Sequence, residues 1–214
     1  SFVVRQVRPL AAGHFVGVCS AVLLLSFVSE DVIDRAFSKR RLVAALRLRL
    51  SCDLVRPVGS CDSPNTTSRL VHGEGDSLPG LIIDIYDRTA VVQAHSLGMH
   101  QARQTIAEVL WEVFAEAGDP VLPLEGIYYK SETTLPTRDM RELASDGFLI
   151  GHTEAAPIYE NGVRFTPDWL KGQKTGFFID QRDNRALVAH YAKGRTVLNA
   201  FCYTGGFSIY ALHA

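Results

Sequence analysis

The residues best suited to chemistry lie in two glycine-containing segments toward the end of the sequence. The second reads VLNAFCYTGGF, in which an apolar run leads through Gly205 and Gly206 into another apolar run. A strand, a glycine-rich turn and a helix cradle ligands in doubly wound α/β domains, because glycine lets the backbone approach and the helix N-terminus offers free N–H groups. The spacing does not match G-x-G-x-x-G, which disfavours a nicotinamide or flavin dinucleotide site. By itself such a turn more often serves simple chain reversal.

The first segment is a glycine-punctuated loop that carries cations and an amide. It contains Lys174, Gln181, Arg182 and Arg185. Two such loops in succession predict a shared pocket. The alternative for Arg182 and Arg185 is pairing on a helix surface with Asp183 or other carboxylates.

A third candidate is a basic segment between Asp34 and Asp53. Because the formal net charge of the chain is −1, basic surface is local and a strongly basic nucleic-acid-binding chain is excluded. The segment predicts either a solvated helix face or a strip that contacts phosphates. Its six cations have no carboxylate between them: Arg35, Lys39, Arg40, Arg41, Arg47 and Arg49.

Composition limits the classes of protein. The 214 residues are 47% hydrophobic and 21% charged, which excludes a disordered chain and suffices for one large domain or two small ones. Since the cysteines form no C-x-x-C pair and no zinc pattern with the histidines, we expect no metal and a reducing cytoplasm. The four cysteines are Cys19, Cys52, Cys61 and Cys202.

An apolar stretch from Phe15 to Val28 follows Arg5 and Arg8, as in a signal peptide. It lacks a small-residue cleavage site and is shorter than the roughly 18 residues of a membrane span. We therefore expect a buried strand and no membrane partner.

Secondary-structure patterns place these segments. Residues 31–50 predict a connector helix capped by Ser29 or Asp31, and residues 51–68 a loop. The runs 81–86 and 89–96 predict a hairpin, residues 101–117 an amphipathic helix ended by Gly118, and residues 126–131 and 147–151 two more strands. Together they form a β-β-α-β-β unit of the α+β class from about residue 69 to 151.

The remaining sequence predicts a hairpin and the beginning of an α/β unit. Asn161-Gly162 is the strongest short hairpin signal, because both turn positions need positive φ. A helix that Asp180 can cap follows, then an apolar strand, the Gly205-Gly206 turn and the start of a last helix.

Three motifs in this order carry a resemblance to a known family: HGEGDSLPGLIIDIY, GQKTGFFIDQRDNR and VLNAFCYTGGF. They resemble the class I S-adenosylmethionine-dependent methyltransferases that modify cytosine C5 in large-subunit ribosomal RNA, the RlmI type. The resemblance runs from about Phe27 to Ala214. It implies S-adenosylmethionine as cofactor and ribosomal RNA as partner in the cytoplasm, and leaves the assembly open, a homodimer included.

The resemblance also implies a domain order of an RNA-binding PUA domain, an EEHEE-like α+β domain and a Rossmann-like methyltransferase domain. We expect residues 1–28 to be a remnant of the PUA-like domain and residues 29–68 a connector helix and loop. Residues 69–151 would be the central EEHEE-like domain, and residues 152–214 a hairpin and the truncated start of the methyltransferase domain.

Carried over position by position, the resemblance places two groups of residues around the cofactor. Asn199 stands where many class I enzymes have a carboxylate, so an ionic contact to the cofactor's ammonium group is not implied. The first motif contributes Lys174, Thr175, Gly176, Phe178, Asp180, Gln181, Arg182 and Arg185, and the second Asn199, Phe201, Tyr203, Thr204 and Gly205.

Some of the family's residues have no counterpart in this sequence. In dinucleotide folds the acidic ribose ligand lies about 20 residues after the glycine turn, which is beyond Ala214, and the family's catalytic cysteine would follow it. We therefore expect a fragment that is inactive by itself, with its catalytic residues downstream of residue 214. Cys202 is expected to be a buried packing residue.

The implied reaction is methyl transfer to cytosine C5, which is a weak nucleophile. A cysteine thiolate adds at C6, C5 attacks the sulfonium methyl group, and a base removes the C5 proton, after the target base has left its stack. Two alternatives stay open: a non-enzymatic RNA-binding module, and a methyltransferase with another substrate. In the gene, a proline-flanked cysteine downstream would support the cytosine reaction, and a stop codon after Ala214 the non-enzymatic module.

Overall fold

The structure is a computed structural model that describes residues 12–16, 21–26, 32–136 and 145–214. The first two segments are antiparallel strands, β1 (Ala12–Val16) and β2 (Ala21–Ser26). The prediction of one strand from Phe15 to Val28 is therefore wrong, because Phe15 pairs with Val22 across two strands. Cys19 and the predicted caps Ser29 and Asp31 lie outside the described residues.

The first helix, α1 (Arg35–Ser51), begins after Asp34, whose carboxylate accepts a hydrogen bond from the Phe37 amide at 2.8 Å. The cap is therefore Asp34 and not Ser29 or Asp31. The helix is also more than a connector, because its apolar face belongs to the main core. The residues buried there are Phe37, Leu42, Ala45 and Leu46.

The central element is a mixed five-stranded sheet. In sheet order its strands are β3 (Thr67–His72), β4 (Leu81–Tyr86), β5 (Thr89–Ala94), β6 (Gly126–Tyr129) and β7 (Gly147–Gly151). Neighbouring strands are antiparallel except for the parallel pair β5 and β6. The predicted hairpin at residues 81–96 and the two later strands are confirmed.

Strand β3 was not predicted, since residues 51–68 were assigned to a loop and no strand was assigned to 69–72. Its register shifts between Arg69 and Val71, so its side chains lack the alternation that marks a strand. The charged side chain of Arg69 also hides the strand pattern, and in the structure it pairs with Asp84 of β4.

The two faces of the sheet bury different cores. Helices α1 and α2 (Leu97–Ala117) cover the first face, and α2 begins at Ser96, whose side chain accepts a hydrogen bond from the Met99 amide. Every residue of β5 is buried, because the second face is covered as well. Its core joins Val91 to residues of the C-terminal segment 158–210.

The C-terminal segment begins with the predicted hairpin, β8 (Ile158–Glu160) and β9 (Val163–Phe165). Asn161 and Gly162 have φ of 49° and 81°, which confirms the turn prediction. A 3-10 turn (Ile179–Gln181) leads into α3 (Arg182–Ala192), and α4 (Gly206–Leu212) ends the fold.

Two predictions for this segment are wrong. Helix α3 begins after Gln181 without a side-chain cap, so Asp180 does not cap it. Residues 196–199 form no strand, and Leu198 is 92% exposed. An apolar run becomes a strand only beside a pairing partner, and the described residues offer it none.

Candidate functional site

Two loops near the end of the chain face one another across a cavity of about 390 Å³. We define loop A as residues 172–178 and loop B as residues 201–206. The structure thus brings the two predicted segments together. Eight of the thirteen predicted cofactor residues line this cavity: Lys174, Phe178, Asp180, Gln181, Arg185, Phe201, Tyr203 and Thr204.

The backbone of both loops is held in an uncommon conformation. The φ angles of Lys174, Phe201 and Tyr203 are 51°, 59° and 47°, a region that costs a non-glycine residue about 1 kcal/mol or more. Such outliers cluster at ligand sites. At Gly176 (φ 113°) a Cβ would lie 2.6 Å from the Trp169 Cα, so that only glycine fits.

Aromatic rings form much of the cavity wall. The rings of Phe178 and Tyr203 pack edge to face with centroids 5.3 Å apart. The Lys174 ammonium lies 4.7 Å from the Phe178 centroid, and the exposed ring of Phe201 lines the same cavity. Flat apolar walls of this kind suit a planar base or a sulfonium group.

The cavity also contains one well-defined anion, Asp180. Burial tends to raise the pKa of its carboxyl group, but the hydrogen bond from Gln181 at 3.0 Å and the charges of Lys174 and Arg69 outweigh it and lower the pKa. Asp180 is therefore a carboxylate at neutral pH. It can accept hydrogen bonds from hydroxyl or ammonium groups of a ligand.

Thr175 of loop A does not line the cavity but anchors the loop to the sheet. Its hydroxyl donates to Asp84 at 2.6 Å and lies 2.9 Å from the phenol of Tyr86. Arg69 donates twice to Asp84, at 2.8 and 3.0 Å, which compensates that fully buried carboxylate. Burial, and then the charge of Asp84, raise the pKa of Tyr86, so its phenol stays protonated.

A second anchor is the buried ammonium group of Lys130 at the end of β6. It donates to the carbonyls of Trp169 and Gly172 at 2.8 and 2.6 Å. Burial lowers the pKa of Lys130, while Asp146 and Asp168 act in the opposite direction. Lys130 thus fixes the turn from which loop A begins.

Glu160 of β8 is a third anchor. It is fully buried and accepts two hydrogen bonds from Arg185, at 2.8 and 2.6 Å. The Arg182 Nε lies 3.5 Å from the same carboxylate, and its Nη2 donates to the Thr67 carbonyl. The alternative of surface pairing with Asp183 is therefore wrong for both arginines, because the carboxylate partner comes from β8.

The predicted residues that do not line the cavity have positions that shape its loops. The Asn199 amide donates to the Ser208 hydroxyl at 2.8 Å, which ties the approach of loop B to α4. Gly205 has φ of 73° and precedes the first residue of α4. The five residues in this group are Thr175, Gly176, Arg182, Asn199 and Gly205.

Cys202 is exposed and lines the cavity, so the prediction that it is buried is wrong. Cys52 and Cys61 are also exposed free thiols.

Across the described ranges, no group of three or more His, Cys, Asp or Glu side chains could hold a metal ion. Nor is any helix in those ranges long and apolar enough to cross a bilayer.

The basic segment divides into two sets of side chains. Arg35 pairs with Glu108 and Glu112 of α2, Lys39 with Glu116, and Arg49 with the half-buried Asp76. The guanidinium group of Arg41 lies 5.0 Å from the Phe37 ring centroid, and Arg47 is exposed, whereas Arg40, 5.7 Å from the same centroid, is not without a further partner. Arg41 and Arg47 are therefore the better placed to meet an external anion.

Sequence reasoning missed the three buried anchors. Asp84 had a signal, since a carboxylate inside the apolar run LIIDIY is unusual for a buried strand. Glu160 and Lys130 had none, because their partners lie 25 and 42 residues away.

Comparison with known proteins identifies related chains. Residues 136–214 match a family model described as S-adenosylmethionine-dependent methyltransferase. Two relatives are named ribosomal RNA large subunit methyltransferase I. The one from Shewanella amazonensis is 40% identical to this chain over 195 residues, and the one from Shewanella denitrificans is 40% identical over 196 residues. Each match covers 90% of this chain and 45% of the relative, so the chain spans about half the length of these relatives.

Solved structures share the fold. A candidate SAM-dependent methyltransferase from Streptococcus mutans superimposes with a TM-score of 0.75 at 24% identity, covering 95% of this chain and 48% of the other. A candidate methyltransferase crystallised with SAH gives a TM-score of 0.70 at 24% identity over 88% of this chain and 44% of the other.

Proposed function

Because the chain is a homologue of the S-adenosylmethionine-dependent ribosomal RNA large subunit methyltransferases I over 90% of its length, we propose that it is the RNA-facing and first cofactor-binding part of such an enzyme. The cytoplasm is its proposed location. The reaction we propose is methylation of cytosine C5 in large-subunit ribosomal RNA. The observation that carries this proposal is the cavity between loops A and B, which lies inside the segment matched by the methyltransferase family model.

The residues that line the cavity fit S-adenosylmethionine. When bound, this cofactor supplies an electrophilic methyl group on a sulfonium. The rings of Phe178, Phe201 and Tyr203 would hold the adenine or the sulfonium, and the Asp180 carboxylate would accept hydrogen bonds from hydroxyl or ammonium groups. Arg185 lines the cavity but is committed to Glu160, so we give it a positioning role.

Attack at cytosine C6 needs a thiolate, and we do not assign it to Cys52, Cys61 or Cys202. The exposed Cys202 lies on loop B, beside the proposed cofactor. Since the chain spans 45% of the length of its relative, we propose that the nucleophile lies in the part that the chain does not cover, and we expect residues 1–214 to transfer no methyl group by themselves.

We propose the domain division predicted from the sequence, with residues 69–151 as an EEHEE-like domain and 152–214 as the start of a Rossmann-like methyltransferase domain. The first core, whose buried residues lie within 37–135, supports it, although the second core joins Tyr86 and Val91 of the sheet to the C-terminal segment. Residues 1–28 would be the PUA-like remnant and 29–68 the connector, although α1 shares the core of the central sheet. Nothing among the described residues favours the homodimer that the sequence left open.

The test uses an extended enzyme, in which Ala214 is joined to the segment that follows the matched part of the Shewanella amazonensis relative. Labelled methyl transfer from S-adenosylmethionine to unmodified large-subunit ribosomal RNA is measured, with the methylated base identified by mass spectrometry. We expect 5-methylcytosine. Methylation of another base would support the alternative substrate, and RNA binding without cofactor binding would support a non-enzymatic module.

A further inference from the structure

A second cavity, of about 460 Å³, opens on the second face of the sheet beside loop A. We call it the sheet-face cleft. The C-terminal segment covers most of this face but leaves the end of the sheet near Gly80 and Ile82 open. The motif HGEGDSLPG, to which the proposed function assigns no role, supplies Gly73, Glu74 and Gly80 to the wall.

The floor of the cleft contains the side-chain amide of Gln93. Gln93 of β5 is only 4% exposed, pairs with Ile82 of β4 in the sheet register, and lines the cleft. Its side chain makes no hydrogen bond with any residue in the described ranges. The amide atoms of Gln93 are not among the buried polar atoms that lack a partner in the described residues, so they reach the open cleft, where a ligand can bond to both the donor and the acceptor.

The rim indicates the chemistry of that ligand. Arg69 and Lys174 supply cations, although Arg69 is paired with Asp84. Burial and the charge of Arg69 lower the pKa of His95, so its ring is neutral at pH 7 and offers a flat surface. Glu74, the carboxylate of the lining, disfavours a site for phosphate alone and can accept a hydrogen bond from an amino group.

We propose that the sheet-face cleft binds one nucleotide of the single-stranded RNA substrate, with its base against the carboxamide of Gln93 and its phosphate near Lys174. A glutamine amide presents a donor and an acceptor in one plane, which matches the edge of a nucleobase. Lys174 lines both the cleft and the cofactor-side cavity. A nucleotide bound there would therefore lie beside the proposed cofactor cavity. This inference rests on the proposed function for its RNA ligand.

The test is a titration of the 214-residue chain with an eight-residue single-stranded RNA of mixed sequence, observed through the side-chain amide resonances of glutamines. We expect the Gln93 amide to shift on RNA addition and not on addition of S-adenosylhomocysteine. Gln93→Leu should weaken RNA binding about tenfold, the effect of removing a two-point interaction with one base. Gln104→Leu, on the exposed side of α2, is the matched control and should bind like the unchanged chain.

Three results would overturn the inference. RNA binding with a stationary Gln93 amide and an unaffected Gln93→Leu variant would remove the cleft from the RNA path and leave the proposed function intact. A shift caused by S-adenosylhomocysteine would assign the cleft to the cofactor. If the unchanged chain binds no RNA, the inference fails, and methyl transfer by the extended enzyme decides the proposed function separately. Thermal melts exclude misfolding of Gln93→Leu, and the amide shift in the unchanged chain needs no variant.

Discussion

Glu160 and Arg185 form a buried ion pair with two hydrogen bonds, at 2.8 and 2.6 Å, between the hairpin β8–β9 and helix α3. Tyr210 of α4 donates to the Glu160 carbonyl at 3.1 Å. One strand residue thus joins the helices that follow loops A and B.

Glu160→Gln should destabilise the chain strongly. The variant keeps the shape of the side chain but leaves the buried guanidinium of Arg185 without its counter-charge, which typically costs about 3–5 kcal/mol. Urea unfolding measures the loss. The matched control is Glu116→Gln, whose partner Lys39 lies on the surface, and which should cost less than about 1 kcal/mol. Equal losses in the two variants would show that the Glu160 pair does not hold the C-terminal segment.

Tyr203→Phe should weaken cofactor binding by the extended enzyme about fivefold. The variant keeps the ring against Phe178 but removes the phenol oxygen, which accepts a hydrogen bond from the backbone amide of Gln173 at 2.9 Å. One such hydrogen bond contributes about 1 kcal/mol. Calorimetric titration with S-adenosylhomocysteine gives the affinity. Cys202→Ser, one residue away, should bind normally and retain methyl transfer, and an inactive but folded Cys202→Ser enzyme would contradict our assignment.

Neutralising Arg41 and Arg47 together with glutamine should lower RNA affinity without changing sequence preference. Their contribution would come from phosphates, so the log–log slope of the salt dependence should flatten by up to about 0.7 for each single-strand phosphate that the variant no longer neutralises. Filter binding at two salt concentrations tests this expectation. The control is Arg35→Gln with Lys39→Gln, because those cations face carboxylates of α2. If both variants have the slope of the unchanged chain, α1 has only a structural role.

Stability should fall as the pH drops below about 6.5. Burial, and then the charge of Arg103, lower the pKa of His100, so the unfolded chain binds this proton more readily than the folded chain. The stabilisation is complete above the unfolded-state pKa of about 6.5 and is lost as the pH falls toward the folded value. His100→Gln should show a smaller fall in melting temperature between pH 7.5 and 5.5. The exposed His213→Gln variant should behave like the unchanged chain, and an unaltered pH dependence in His100→Gln would refute the argument.

Local sequence patterns predicted the elements whose apolar side chains fill the two cores. Apolar runs fixed the hairpin at residues 81–96, and helical spacing identified α2, while Asn161-Gly162 gave the turn between β8 and β9. Strand β3 escaped because its bulge and Arg69 break the alternation. The run 196–199 was misassigned because a strand depends on a partner that its own sequence does not specify.

The candidate site shows the same division. Glycine spacing located loops A and B, which are local features, and eight predicted residues line the cavity between them. Asp84 holds Thr175 from 91 residues away, and Lys130 and Glu160 also act across long separations. Such pairings follow from packing in three dimensions. The carboxylate inside LIIDIY marks Asp84 as unusual, but periodicity and motif spacing do not identify the partner of any of these residues.

The position of Lys174 in the walls of both cavities makes the two proposed ligands thermodynamically dependent. A side chain that moves toward one occupant changes the charge offered to the other. By linkage, if nucleotide binding alters cofactor affinity by some factor, the cofactor must alter nucleotide affinity by the same factor. The binding free energies measured for each ligand alone will therefore not sum to the binding free energy of the ternary complex.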